Sequence, residues 1–161
     1  MKKIACLLYP NFSLYEIAPL TSALVLNFGR KIDFIASTTE TIYSEDGLPC
    51  HANKILEEVN IEEYDCILCP GTIDFTPAVR DECLIRFLAG LDGKSIKIAA
   101  ISSAPILLAK AGLLKQTLYT GGIWQNFIDY FDFLPRENFR PLPVCEDGNI
   151  ITGTGFTVNA F

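Results

Sequence analysis

Residues 96–108 read Ile-Lys-Ile-Ala-Ala-Ile-Ser-Ser-Ala-Pro-Ile-Leu-Leu, and this stretch predicts a buried β-strand that runs directly into an α-helix. Around Ser102, Ala100 and Ala104 supply small residues two positions before and two after the hydroxyl. A sharp elbow requires small residues there because neighbouring backbones crowd the turn. The N–H groups at the start of the following helix favour an anion or a developing oxyanion at the same spot. We expect Ser102 to be either a nucleophile or, in the simpler interpretation, an ordinary N-cap.

The rest of the chain repeats this alternation of apolar strands and helical stripes. Buried strands are predicted over 3–9, 32–36, 65–69 and 94–101, helices over 13–28, 76–91, 105–111 and 122–131, a short hairpin or irregular excursion over 41–52, and a hairpin over 144–152. This order indicates an α/β fold, a mainly parallel sheet with helices on both faces. Ligands of such folds bind at the carboxyl ends of the strands. Three segments reach that edge: Pro10-Asn11, Pro70-Gly71-Thr72 and Ser102-Ser103.

Composition limits the class of protein. The 161 residues fit a single domain, 1–161, and half of them are hydrophobic, which is enough for a sizeable core. A net charge of −6 argues against a general nucleic-acid binder, whose phosphate contacts need clustered Lys and Arg. The apolar run after Lys3 ends at Tyr9-Pro10, so we expect no secretory signal, and no run approaches the roughly 18 residues of a membrane helix. Neither nucleic acid nor a membrane is expected as a partner.

The six cysteines fall mostly inside apolar runs, as buried free thiols do. Cys66 and Cys69 have the spacing of a CxxC motif, but positions three apart on a strand face opposite sides. We therefore expect two core thiols there rather than a metal or redox pair. This cysteine usage favours a reducing, cytoplasmic compartment. No metal ion and no organic cofactor are expected.

The first predicted helix carries a carboxyl group near the elbow. Ser13 and Glu16 have the spacing of a capping box, with Phe12 and Ile17 as its hydrophobic staple, so a purely structural role for Glu16 is one interpretation. Pro19 is unusual inside a helix, because proline removes a backbone hydrogen bond one turn after the helix begins and should kink it. The alternative is that Glu16 acts as a general acid or base beside the elbow.

A serine nucleophile also needs a group that takes its proton. The single histidine of the chain, His51, lies in the 41–52 region. It would reach the elbow only through tertiary structure or from a partner subunit. An exposed side chain without a catalytic role is therefore the expected state of His51.

The end of the sequence raises a separate expectation. A further helix is expected to begin after Gly153-Thr154-Gly155, but residues 156–161 are too few to cover a sheet face. Either the protein is naturally short, or its C-terminal helix is truncated in this chain.

Ordered landmarks along nearly the whole chain resemble the ThiJ/PfpI family, in the class I glutamine amidotransferase-like superfamily. They are Tyr9-Pro10 followed by Glu16 and Pro19, Tyr64-Asp65 leading to Pro70-Gly71, the stretch 99–105, and the stretch 151–155. The resemblance implies a flavodoxin-like three-layer sandwich and a homodimer. In this family the elbow residue is a reactive cysteine, and a glutamate of the first helix is hydrogen-bonded to it. Backbone N–H groups of a Pro-Gly-Gly turn and of the residue after the cysteine form an oxyanion-hole-like pocket.

By this resemblance Ser102 takes the cysteine position and Glu16 matches the glutamate, so these two are the candidate catalytic residues. Gly71, Thr72 and Ser103 become the expected oxyanion or ligand-binding residues, with Thr72 in place of the second glycine of the turn. Many members add a histidine shortly after the elbow helix, but residues 118–122 contain none. A Ser–Glu pair without histidine is a poor nucleophile and a good polar cradle for a small carbonyl or carboxylate ligand.

Three functions remain open at this point. The first is a cofactor-independent hydrolase or lyase that acts on a small carbonyl compound through Ser102 and Glu16. The second is a small-molecule binding or sensor module that keeps the pocket without the cysteine chemistry. The third is a stress-protective dimer without a defined substrate, since chaperone-like protection is among the activities attributed to the family.

Overall fold

The fold is built on one sheet of seven strands in the computed structural model, which describes residues 1–123 and 125–155. The strands, in chain order, are β1 (Lys3–Leu7), β2 (Ile32–Ala36), β3 (Ile42–Tyr43), β4 (Pro49–Cys50), β5 (Lys54–Ile55), β6 (Tyr64–Cys69), β7 (Lys97–Ile101), β8 (Val144–Asp147) and β9 (Ile150–Gly153). The helices are α1 (Leu14–Leu26), α2 (Thr76–Arg80), α3 (Glu82–Ala89), α4 (Pro105–Lys110) and α5 (Gln125–Tyr130). Strands β3 and β4 form a separate antiparallel hairpin, the first of the two that the sequence predicts.

The strand order in the main sheet is β5-β2-β1-β6-β7-β9-β8. Every neighbouring pair is parallel except β8 and β9, which form the predicted C-terminal hairpin. The α/β fold with a mainly parallel sheet is thus confirmed. Strands β1, β6 and β7 are adjacent at the centre, so the three segments that follow them meet at one edge. The edge strand β5 was not predicted, because a strand of two residues is too short to show an alternating hydrophobic pattern.

The stretch predicted as one helix over 76–91 forms two helices. The chain leaves the helical conformation at Asp81, whose Oδ1 accepts a 3.1 Å hydrogen bond from the Leu84 amide and caps α3. A side chain that caps the second segment competes with continuation of the first. Helix α2 begins at Thr76, as predicted, with Phe75 in the N-cap position.

The predicted capping box at the start of α1 is wrong. Ser13 occupies the N-cap position but makes no side-chain cap, and its buried hydroxyl has no hydrogen-bond partner among the described residues. The Glu16 carboxylate bonds the Gly71 amide instead. A tertiary partner has therefore replaced the local one. Helix α1 continues through Pro19 to Leu26.

The core lies against both faces of the central strands, and Ala5, Cys6 and Leu7 of β1 are fully buried. All six cysteines fall within the described part of the chain and are free thiols. No helix in that part is both long and apolar enough to cross a membrane. The expected C-terminal helix after Gly155 falls outside the described residues.

Candidate functional site

Ser102 lies at the turn between β7 and α4 with a φ of +59°, in the left-handed region. Among the described non-glycine residues only Asn11, at +62°, shares that conformation. Such a backbone costs on the order of 1–2 kcal/mol and persists only where the surroundings hold it. Here the Ser102 amide donates to the Gly153 carbonyl at 2.8 Å, and the Ser102 carbonyl accepts from the Gly122 amide at 2.8 Å. The sharp elbow predicted from the small residues is thus present.

Glu16 reaches the same point from α1. Its Oε2 accepts a 2.7 Å hydrogen bond from the Gly71 amide, in the turn after β6. A Cβ atom built on Gly155 would stand 3.0 Å from Glu16 Oε1 and 3.3 Å from Ser102 Oγ, so both oxygens border one small space. The fold therefore brings together the two side chains that the sequence singles out from opposite halves of the chain.

Burial raises the pKa of the Glu16 carboxyl above its ordinary value. The Gly71 amide and the Ser102 hydroxyl oppose this rise in pKa because they stabilise the charged form. The Glu45 carboxylate adds to it by like-charge repulsion. Glu16 is therefore poised to hold or release a proton closer to neutral pH than an exposed glutamate does.

Glycines form the walls around Ser102. A Cβ atom at Gly71 would lie 2.8 Å from Ser102 Cβ, one at Gly155 would lie 2.9 Å from the same atom, and one at Gly122 would lie 3.0 Å from Ser102 Oγ. Cβ atoms in real proteins rarely come this close to another heavy atom, so a side chain at any of these three positions would crowd Ser102. The backbones of three loops therefore pass directly beside the serine. Among the described residues, Gly71, Gly122 and Gly155 thus place peptide groups beside the Ser102 side chain.

Thr72 and Ser103, the other two expected ligand-binding residues, are bonded to each other. The Ser103 hydroxyl accepts from the Thr72 amide and donates to the Thr72 carbonyl, both at 3.0 Å. The Thr72 hydroxyl donates to the carbonyls of Pro10 and Asp74. The Gly71 amide is engaged by Glu16, so both turn amides have acceptors within the protein.

His51 lies apart from these residues, in agreement with the expectation that it is exposed. Its Nε2 is 3.3 Å from the Thr41 hydroxyl, beside the β3–β4 hairpin. Three contributors to the site were missed by sequence reasoning: Gly122 and Gly155 as walls, and Tyr15, whose hydroxyl donates to the Gly155 carbonyl at 3.4 Å. The glycines of the site occur in closely spaced pairs, at 121–122 and 153–155, and this spacing is the sequence signal that could have identified them.

A shallow apolar groove of about 180 Å³ borders Glu16. Its side-chain lining comes from α1 and the strands beside it, including Leu20, Leu68, Ile101 and Val144, and Ser102 is not among its described residues. In the described ranges no group of three or more His, Cys, Asp or Glu side chains is arranged to hold a metal ion.

Solved structures with this fold are numerous, and two illustrate the likeness. The DJ-1 superfamily protein Atu0886 from Agrobacterium tumefaciens superposes with a TM-score of 0.85 at 21% identity, over 96% of this chain and 82% of that one. A cysteine-to-alanine mutant of the DJ-1 superfamily protein STM1931 from Salmonella typhimurium gives a TM-score of 0.76 at 27% identity, over 96% and 82% of the two chains. The flavodoxin-like α/β architecture is therefore shared with these proteins.

Two curated relatives match this chain over only part of their own length. An uncharacterized protease, YdeA of Bacillus subtilis, is 35% identical over 72 residues, which are 45% of this chain and 36% of the relative. The uncharacterized protein MG029 of Mycoplasma genitalium is 25% identical over 124 residues, 74% of this chain and 65% of the relative. The matched regions thus span about a third and just under two thirds of these two proteins. The sequence profile of the DJ-1/PfpI family matches residues 2–161, so this chain belongs to the DJ-1/PfpI family.

Proposed function

We propose that this chain binds a small carbonyl compound at the Ser102–Glu16 site. The observation that carries the proposal is the shared space in which Ser102 Oγ and Glu16 Oε1 both lie close to Gly155. A hydroxyl and a buried carboxyl can each hydrogen-bond a carbonyl compound, and the Ser103 amide, which has no acceptor among the described residues, adds a backbone donor.

The charges around the site favour a neutral ligand over a carboxylate. Glu16 borders the Ser102 space, and after burial the repulsion from the Glu45 carboxylate is a further cause of the raised Glu16 pKa. No lysine or arginine contributes to that pKa. A carboxylate ligand would add a third negative charge without a compensating cation, whereas an aldehyde or ketone carries no such penalty.

A cofactor-independent hydrolase or lyase is the second candidate, and the raised pKa of Glu16 favours it. In its first step Glu16 takes the hydroxyl proton, a bond forms between Ser102 Oγ and the carbonyl carbon, and the carbonyl π electrons move to oxygen. The Ser103 amide is the donor available to that oxyanion. An ester would then expel its alcohol with the proton returned by Glu16, and water would release the acyl group.

Thermal unfolding with neutral carbonyl probes tests the main proposal. Acetone or dihydroxyacetone at 100 times its Kd should add about 2.7 kcal/mol of stability, a rise in Tm of about 5–10 °C. Ser102→Ala should remove most of the rise, while the control Ser95→Ala, at an exposed serine, should retain it. No rise with the wild-type chain contradicts binding and favours the stress-protective alternative. Ester hydrolysis that disappears in Ser102→Ala would support the enzyme.

We also infer that the chain forms a homodimer through α1 in a reducing, cytoplasmic compartment. Ile17 is the one residue of this apolar helix that is buried, while Leu26 and Phe28 at and just after its end are 80% and 67% exposed. Contiguous exposed apolar surface of this kind marks an interaction site. Grooves run along both sides of α1, which leaves room for a helix of a second copy. The six free thiols are compatible with such a compartment.

A further inference from the structure

Tyr9, two residues after β1, carries a buried hydroxyl group that the proposed function does not use. The residue is 2% exposed, and its hydroxyl donates a hydrogen bond to the Pro70 carbonyl, in the turn after β6. Burial raises the pKa of this hydroxyl well above its ordinary value, and the neighbouring Cys69, Cys6 and Glu16 add to the rise. The Tyr9 hydroxyl therefore keeps its proton around neutral pH and acts as a donor.

The Pro70 carbonyl and the Gly71 amide are the two halves of one peptide group. This group is held at both ends, because Tyr9 donates to its carbonyl oxygen and its N–H donates to Glu16 Oε2 at 2.7 Å. Among the described residues no other group hydrogen-bonds either end. Linked hydrogen bonds strengthen one another by roughly 10–30% per bond, because each polarises the next. Tyr9 is thus connected to the Glu16 carboxylate through a single peptide group.

The residue after this peptide group is glycine, which makes the orientation of the group easy to change. Glycine lacks the Cβ atom that restricts backbone rotation in other residues. A half turn of the peptide would point the Pro70 carbonyl at Glu16 in place of the Gly71 amide. The Gly71 carbonyl accepts from the Ser13 amide at 2.8 Å, but that contact fixes the following peptide group. The orientation of the Pro70–Gly71 peptide therefore depends on its two side-chain partners.

We propose that Tyr9 is a positioning residue whose hydroxyl holds the Pro70–Gly71 peptide so that its N–H faces Glu16 and stabilises the carboxylate form. This inference rests on the proposed function for its consequence for ligands. A carboxyl group donates a hydrogen bond to a carbonyl oxygen only when it is protonated. By favouring the carboxylate, Tyr9 sets the upper end of the pH range in which Glu16 offers that donor.

The other groups that act on the Glu16 carboxyl come from different elements. The Glu45 carboxylate, between β3 and β4, favours the protonated form, and the Ser102 hydroxyl, after β7, favours the charged form. On the tyrosine side the neighbours are the thiols of Cys6 and Cys69. Burial raises the pKa of both thiols, so both stay neutral. Within the linked set of hydrogen bonds, Glu16 is therefore the group that titrates.

A ¹³C NMR titration of the Glu16 carboxyl carbon in Tyr9→Phe tests the positioning role, with Tyr64→Phe as the matched control. Tyr64 is also 2% exposed, and its hydroxyl donates to Asp33 at 2.6 Å from the opposite end of β6. Tyr9→Phe should raise the proton-binding constant of Glu16 by about three- to tenfold, because it weakens a hydrogen bond to a charged acceptor. Tyr64→Phe should leave that constant unchanged. A constant that does not rise in Tyr9→Phe, or an equal rise in both variants, overturns the inference.

The wild-type chain provides a second test that does not depend on the fold of a variant. The Gly71 amide proton and the Tyr9 hydroxyl proton should shift with the same midpoint as the Glu16 carboxyl carbon, while the Tyr64 hydroxyl proton should not. A Tyr9 hydroxyl proton that exchanges too fast to be observed, or whose signal stays fixed through that midpoint, contradicts the proposal.

Acetone binding, measured as a function of pH, separates this inference from the proposed function. The affinity of the wild type should fall as the pH rises through the pKa of Glu16, and in Tyr9→Phe the fall should occur at higher pH. A fall at the same pH in both proteins overturns the effect of Tyr9 on ligands. Failure of acetone to bind either protein at any pH overturns the proposed function, while the titration of Glu16 still decides the role of Tyr9.

Discussion

Glu16 Oε2 accepts a 2.7 Å hydrogen bond from the amide of Gly71, a residue 55 positions away in the sequence. This contact joins the first turn of α1 to the turn after β6, and a Cβ atom at Gly71 would also touch Ser102. The carboxyl group is consequently fixed beside the elbow instead of capping its own helix. The contact holds the carboxyl group in a buried position, and this burial raises its pKa although the Gly71 amide itself opposes the rise.

The raised pKa of Glu16 should make the stability of the chain depend on pH in a defined direction. Below about pH 4.3, the ordinary pKa of glutamate, the group is protonated in both the folded and the unfolded chain. As the pH rises the unfolded chain loses this proton first, so the folded chain binds more protons and the free energy of unfolding falls until the pH passes the folded pKa.

Glu16→Gln isolates this effect, because its amide oxygen still accepts from Gly71 but does not titrate. Urea unfolding from pH 4 to pH 8 should show the variant gaining stability relative to the wild type as the pH rises. The opposite slope, or a constant difference between the two proteins, would contradict a raised Glu16 pKa. Glu40→Gln, an exposed glutamate, serves as the control.

Gly71→Ala should destabilise the chain and disturb the site. The added methyl group would lie 2.5 Å from Glu16 Oε2 and 2.8 Å from Ser102 Cβ, so one of these side chains has to move. We expect a loss of about 1–3 kcal/mol in the free energy of unfolding, as for other overpacked sites. Gly90→Ala is the control, since its methyl group would meet nothing closer than the Phe87 carbonyl at 3.3 Å. Equal effects of both substitutions would argue against the tight contact at Gly71.

Substitution of Ser102 by glycine should reveal the backbone strain at the elbow. Ser102→Gly is expected to be more stable than Ser102→Ala by about 1 kcal/mol, because only glycine adopts a positive φ without penalty. At Ser22, an exposed residue within α1, the order should reverse and alanine should be the more stable by about 1 kcal/mol. Chemical unfolding of the four variants measures both differences, and the same order at both positions would exclude strain at Ser102.

The sequence predicted the sheet and the elbow because both depend on short, strong local patterns. The apolar strands and the small residues around Ser102 are visible in any window of a few positions. The engagement of Glu16 by Gly71, and of Thr72 by Ser103, could not be predicted, since Ser13 offered Glu16 an equally good local partner. The break at Asp81 was missed because the apolar stripe runs across it unchanged. Hydrophobic periodicity records which face is buried, but it does not record which hydrogen-bond acceptor a donor selects.

Leu26→Lys should dissociate the inferred dimer. A charge at this 80% exposed position costs little in a monomer and is unfavourable in an apolar interface. Sedimentation velocity should show the wild type as a dimer and the variant as a monomer with an unchanged Tm at low protein concentration. Tyr130→Lys, at an exposed position on α5, should leave the assembly unchanged. A monomeric wild-type chain, or a Leu26→Lys variant that remains dimeric, would refute the assignment of α1.

The binding of a neutral carbonyl compound at the elbow is tested most directly by an NMR titration of the ¹⁵N-labelled chain with acetone. We expect the amide signals of Gly71, Ser103, Gly122 and Gly155 to shift together with one Kd, and we expect Ser102→Ala to remove these shifts. Signals at the elbow that stay fixed throughout the titration, or shifts confined to the groove lined by Leu20 and Val144, would contradict it.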